Sequence, residues 1–320
     1  MLKFFELKTI PAFFRLIRWP NLVFILLTQG MFEYCILRPI FARASIHNNL
    51  HGIYFLLITF SHMLIAAAGY IINDYFDQNI DTINKPSRVI VSRVINRRWV
   101  LLWHILLSLL AIGLSFYVDL HTSSKIAGIS AIICVILLFL YSTTLKKKLL
   151  MGNVLVSSLA AFSVVALTWF EGNQFFLLHA RNSHTEIGQI FWFTVMYAGF
   201  AFIISLIREV VKDMEDVEGD RKYGCRTMPI VWGLTASKVF VSVWLIVLIA
   251  ILFIIEIFVL QFGLWGSALY CIVLIIVPLL WVFRKLFVAQ SSKDFHLLST
   301  VIKMTMLTGI LSMIFFKYYP

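Results

Sequence analysis

The chain is 320 residues long, 61% apolar and only 13% charged, with a formal net charge of +11. Soluble folds carry about 25% charged and about 45–50% apolar residues, so this apolar excess cannot be hidden in one water-soluble core, and collagen-like and disordered classes fall with it. Four cysteines without paired spacing (Cys35, Cys134, Cys225, Cys271) exclude a disulfide framework and a zinc knuckle.

Residues 1–20 open the chain with Lys3, Lys8, Arg15 and Arg18 alternating with Phe and Leu. This stretch reads as an interfacial helix on the cytoplasmic leaflet, with no cleavable signal peptide. Apolar runs long enough to cross about 30 Å of hydrocarbon follow at 22–37, 53–72, 100–118, 126–145, 154–170, 190–207, 239–260, 264–283 and 297–316. The pattern predicts an all-α polytopic membrane protein, a bundle of nine transmembrane helices forming a single domain over residues 1–320.

Nine spans put the termini on opposite sides. With the N-terminus inside, external segments hold Arg38, Arg43, Lys125, Arg181 and Lys317, and Lys303 lies within the last span. The cytoplasmic segments hold the other 21 of the 27 Lys and Arg. Basic excess marks the cytoplasmic side, so the expected location is the cell membrane with a cytoplasmic N-terminus. Topology accounts for the net charge, and no nucleic-acid partner is expected.

The hydrophilic stretches of substance are 73–98 and 208–238, and they hold nine of the 16 carboxylates. The first begins Asn73-Asp74-Tyr75-Phe76-Asp77-Gln78-Asn79-Ile80-Asp81. The second contains Asp213-Met214-Glu215-Asp216-Val217-Glu218-Gly219-Asp220. Both carry the spacing D-x2-D-x3-D. On a helix, positions i, i+3 and i+7 share a face, so each triplet would point three carboxylates one way from the cytoplasmic end of a span. Like charges repel there, and a helix C-terminus disfavours anions. A compensating cation is required. Hard oxygen donors with no Cys or His beside them favour Mg²⁺, which is usually held by one or two carboxylates plus substrate phosphates. Two such clusters suit Mg²⁺ gripping a diphosphate. Basic residues follow each cluster, and Lys85, Arg88, Lys146 and Arg221 are the candidate clamps for the remaining phosphate oxygens.

These residues resemble the UbiA superfamily of intramembrane prenyltransferases. Asn73, Asp74, Asp77 and Asp81 match its first signature, N-D-x-x-D-x-x-x-D, and Asn84-Lys85-Pro86-Ser87-Arg88 matches the N-K-P-x-R that follows. Asp213, Asp216 and Asp220 match the second signature. Arg18-Trp19-Pro20-Asn21, with Gln29, looks like the family's first helix; Tyr141-Ser142 through Lys146 to Gly152-Asn153 looks like its fourth-to-fifth helix turn. Val89 stands where many members have proline and Arg93 where a glycine is usual, which predicts a differently closed loop over the site.

The resemblance implies prenyl transfer from a prenyl diphosphate to an acceptor within the membrane, near the cytoplasmic face, in an active-site cavity. It implies Asn73, Asp77, Asp216 and Asp220 as direct Mg²⁺ ligands. Asp74, Asp81 and Asp213 are implied as water-mediated ligands or orienters of the basic clamp, with Lys146 acting on the diphosphate. The run 208–220 and its continuation Gly224-Cys225-Arg226-Thr227-Met228-Pro229-Ile230 look most like the digeranylgeranylglyceryl phosphate synthases, the ether-lipid branch. The implied reaction is geranylgeranyl transfer to a lipid alcohol, geranylgeranylglyceryl phosphate. The alternative is an aromatic acceptor of the 4-hydroxybenzoate or homogentisate type. A cation or organic-anion transporter is a remoter reading, since transporters place charges near mid-bilayer, whereas these aspartates lie at one edge. His47 and His51, Cys225, Glu256 and Lys303 are expected to have packing, pairing or spectator roles.

Overall fold

A computed structural model describes residues 9–84, 90, 91, 95–172, 174, 177, 179 and 184–318. Among these residues the chain is almost wholly helical, and its one β feature is an isolated bridge between Val91 and Ile95. After the short α1 (Thr9–Leu16) come α2 (Trp19–Arg43, with a π-helical turn at Glu33–Leu37), α3 (Ile53–Asn84), α4 (Arg97–His121), α5 (Ala127–Thr143) and α6 (Met151–Phe170). The second half holds α7 (His184–Glu215), the short α8 (Val217–Lys222) and α9 (Met228–Val231), α10 (Gly233–Leu260), α11 (Trp265–Val288) and α12 (Ser292–Leu311).

Eight described helices are long and apolar enough to span a membrane, and α5, at 17 residues, is a shorter ninth. Every expected span has its helix, so the polytopic all-α class holds. Their outer faces are strongly apolar: Leu109, Val195 and Ile254 are 62%, 66% and 66% exposed in mid-helix. Only lipid makes such faces favourable.

The helix ends correct the expected boundaries. The spans 53–72 and 190–207 continue as unbroken helix to Asn84 and Glu215, so the first triplet and Asp213 ride on the long helices themselves. The first triplet therefore lies on one helix, as the spacing predicted. The second does not, because α7 stops at Glu215, Asp216 takes φ −101° and ψ 9°, and Asp220 lies on α8.

The chain divides into two compact units. The first comprises the described residues of Met1–Gly30, Phe41–Lys146 and Ala166–Ile187. In it α3, α4 and α5 pack closely through small residues, as membrane helices do. A Cβ on Gly69 would lie 2.9 Å from the Leu138 side chain, and the Ser61 hydroxyl donates to the Ala111 carbonyl at 2.8 Å. Two side chains act as helix starters: Asn96 accepts from Arg98 N–H at the head of α4, and the Asp119 carboxylate accepts from Ala127 and Gly128 N–H at the head of α5. The predicted interfacial helix is seen as α1, but its Ala12 and Leu16 are buried with Ile71, Val91, Ile95 and Val100. Residues 1–8 of that prediction lie outside the described residues.

The second unit comprises Met31–Ile40, Lys147–Val165 and the described part of Gly188–Pro320. Its core joins α7, α10, α11 and α12 through Ile204, Ile207, Leu245, Leu279, Phe295 and Ile302. Ser291 and Asp294 close a reciprocal capping box at the start of α12. Lys238 Nζ donates to the Ala289 carbonyl at 2.5 Å, satisfying an acceptor at the end of α11.

Candidate active site

In the first unit the site is built on the last three turns of α3. The helical repeat sets Asn73 above Asp77, and the Asn73 amide donates to Asp77 Oδ2 at 2.6 Å. Lys146, at the end of the turn after α5, brings its ammonium onto Asp77 Oδ1 and lies 3.4 Å from Asn73 Oδ1. Both side chains are well covered, at 10% and 15% exposure. Two hard oxygens thus already converge on one positive charge. That donor set fits Mg²⁺.

Asp74 turns to another partner. Arg18, in the turn between α1 and α2, donates from Nη2 to Asp74 Oδ1 at 2.7 Å and lies over the Tyr70 ring at 5.2 Å. One turn on, Arg97 covers the Tyr75 ring at 4.6 Å. Asp81 is half-buried on the last turn of α3. Lys85 and Arg88, like Val89 and Arg93, lie outside the described residues.

In the second unit Asn153, on the first turn of α6, donates its amide to Asp213 Oδ2 at 2.8 Å. Asp213 has Glu209 and Asp220 as its acidic neighbours and Lys212 as a basic one. Glu209 is held by Lys212 at 2.7 Å and Arg208 at 3.3 Å, while Glu215 takes His296 at 2.9 Å. Asp216, half-buried, marks the break between helices, and Cys225 N–H donates to the Asp220 carbonyl at 2.9 Å, folding the chain back. The Cys225 side chain is buried. Arg221 is exposed on α8 and makes no ion pair among the described residues. Within either unit, no three described Asp, Glu, His or Cys side chains gather on one point.

Sequence reading left two of these residues without a role. Arg18 and Asn153 contact the acidic motifs from 56 and 60 residues away. Their one signal lay in the family-like Arg18-Trp19-Pro20-Asn21 and Gly152-Asn153 runs. Glu256, set aside within the seventh span, is buried beside Cys271.

The family model described as the UbiA prenyltransferase family matches residues 37–307, a stretch drawn from both units. A digeranylgeranylglyceryl phosphate synthase of Methanosphaera stadtmanae is 32% identical over 254 residues, covering 78% of this chain and 82% of that one. A solved structure of a digeranylgeranylglyceryl phosphate synthase shares the fold with a TM-score of 0.58 at 22% identity, covering 96% of this chain and 99% of that one. A UbiA homologue from Archaeoglobus fulgidus, bound to GPP and Mg²⁺, shares it with a TM-score of 0.55 at 13% identity, covering 94% and 99%.

Proposed function

The chain belongs to the UbiA prenyltransferase family and is a prenyltransferase; from that premise we propose that it moves a geranylgeranyl group from its diphosphate to the free hydroxyl of geranylgeranylglyceryl phosphate. The observation that carries the proposal is the pair of D-x2-D-x3-D motifs, each buttressed by its own amide or cation. Likeness to the Methanosphaera enzyme supports the choice of acceptor. In this role residues 1–320 act as one catalytic domain in the cell membrane, and the basic excess supports an N-terminus and a site at the cytoplasmic face.

Asn73, Asp77, Asp216 and Asp220 would hold Mg²⁺. When bound there, Mg²⁺ supplies electrostatic stabilisation of the charge that develops on the diphosphate. Lys146, with Arg221, Lys85 and Arg88, neutralises the remaining oxygens. As the C1–O bond breaks, its electron pair leaves with the diphosphate and an allylic cation remains. The acceptor hydroxyl oxygen then bonds to C1, forming the ether, and its proton goes to the released diphosphate. Asp74 orients a basic group, Arg18, while Asp213 is itself held by the Asn153 amide, and Asp81 and Asp213 would bind metal-bound water or the basic clamp. The apolar helices hold the isoprenoid and exclude the water that would quench the cation.

The test is transfer of radiolabel from geranylgeranyl diphosphate, with Mg²⁺, by detergent-purified protein. Product is expected with geranylgeranylglyceryl phosphate and none with 4-hydroxybenzoate or homogentisate. Product with an aromatic acceptor alone would overturn the assignment.

A further inference from the structure

The cations on and around the two acidic motifs are of two kinds. Arg18, Lys146, Arg208 and Lys212 each sit on a carboxylate. Lys147, Lys148, Lys222 and Arg226 make no ion pair among the described residues. The fold gathers these four in the second unit. Arg226 N–H donates to the Lys147 carbonyl at 2.8 Å, strapping together segments 79 residues apart in the sequence. Leu149 and Leu150 pack against the core that also buries Met228, and Cys225 and Thr227, on either side of Arg226, are buried. Arg226 and Lys148 are therefore exposed side chains on firmly anchored backbone. The exposed acid on α8, Glu218, pairs with none of them.

Topology alone requires basic residues on this side of the membrane, but it does not require Arg226 to be strapped to the Lys147–Lys148 run, with neither side neutralised by a carboxylate among the described residues. The strap also places the cluster beside the second acidic motif, because the Cys225 N–H to Asp220 carbonyl bond folds residues 221–226 back towards Asp220. A glycerol phosphate lipid has its reacting hydroxyl and its phosphate on neighbouring carbons, so a site for that phosphate must adjoin the diphosphate site. A phosphate monoester carries about −1.5 to −2 charges and three acceptor oxygens, which suits an Arg fork flanked by Lys point charges. We infer that Lys147, Lys148, Lys222 and Arg226 form the recognition site for the phosphate monoester of the acceptor lipid. The inference rests on the proposed acceptor class and adds the residues that read it.

The experiment compares wild type with Lys147→Gln/Arg226→Gln in neutral detergent, using geranylgeranylglyceryl phosphate, its dephosphorylated alcohol and varied geranylgeranyl diphosphate. The substitutions remove side-chain charge and leave the backbone strap intact. Expected is a rise of about tenfold to a hundredfold in KM for the phosphorylated acceptor. KM for the alcohol and for the donor should not move, and unchanged donor KM also reports an intact fold. Arg226→Lys should recover part of the loss, and Arg284→Gln/Lys285→Gln, which removes as much charge from exposed side chains at the end of α11, should have no effect. An equal rise for both acceptors, or none, overturns the inference. So does a defect that appears only in vesicles of anionic lipid, since the cluster would then read membrane headgroups. Wild type that uses no glycerol phosphate lipid overturns the acceptor assignment and this inference with it, a result distinguishable because it is seen on the unsubstituted protein.

Discussion

Lys146→Gln separates two roles that the geometry assigns to one side chain. The Lys146 ammonium binds Asp77 Oδ1 and approaches Asn73 Oδ1, the same two oxygens proposed for Mg²⁺. A second cation on those atoms must compete with it. Removing the ammonium leaves Asp77, 15% exposed, with the Asn73 amide on Oδ2 and no lysine on Oδ1. Stranding an acceptor in this way costs about 1–3 kcal/mol, less than the ~3–5 kcal/mol of a fully buried broken pair. Without Mg²⁺ the variant should therefore melt a few degrees below wild type. Added Mg²⁺ at about 100-fold its Kd stabilises by ~2.7 kcal/mol when nothing competes. The Mg²⁺-induced rise in Tm should thus be larger in the variant than in wild type. Turnover should fall by about 10²–10³, the usual loss when one group that stabilises developing negative charge is removed. Thermal unfolding in detergent across a Mg²⁺ titration, with transfer rates measured in parallel, reads both effects. Equal Mg²⁺ shifts in the two proteins would refute the shared-oxygen argument, and unchanged turnover would remove Lys146 from the diphosphate clamp.

Asp77→Ala and Asp216→Ala should each abolish transfer while the protein still elutes as a folded, monodisperse species; near-full activity in either would strike that residue from the ligand set. Arg18→Gln and Asp74→Asn, made singly and together, should show a coupling of about 1 kcal/mol in thermal stability. The value is modest because Arg18 is 38% exposed and solvent screens the pair, and strict additivity would contradict the contact. Glu171→Leu should cost about 2–4 kcal/mol, since its buried carboxylate accepts from the Asn49 and Leu50 N–H groups at 2.5 and 2.7 Å. Donor KM should be unaffected there, and a wild-type melting temperature would show that this staple contributes nothing.

Membrane residence, the helix inventory and the two acidic motifs were legible in the residues themselves, because each rests on local pattern. About 30 Å of hydrocarbon demands a long apolar run, and every such run became a helix. The first triplet obeys the i, i+3, i+7 rule because α3 runs unbroken past Asp81. The same spacing misled at the second triplet, where the helix ends at Glu215 and Asp216 bends the chain before α8. Helical spacing says nothing about where a helix stops in a polar stretch, where caps and tertiary partners decide.

Which charges are paired could not be read from the sequence. Lys146, Lys147 and Lys148 are a uniform run of three lysines. In the fold, Lys146 closes on Asp77, the Lys147 carbonyl receives Arg226, and Lys148 stands exposed without an ion pair among the described residues. Arg18 reaches Asp74, and Asn153 reaches Asp213, across distances that no periodicity spans. The amino-acid order settled which segments enter lipid and which carry acid, since the transfer cost of each residue is its own. Pairing belongs to two residues at once, and only packing brings them together.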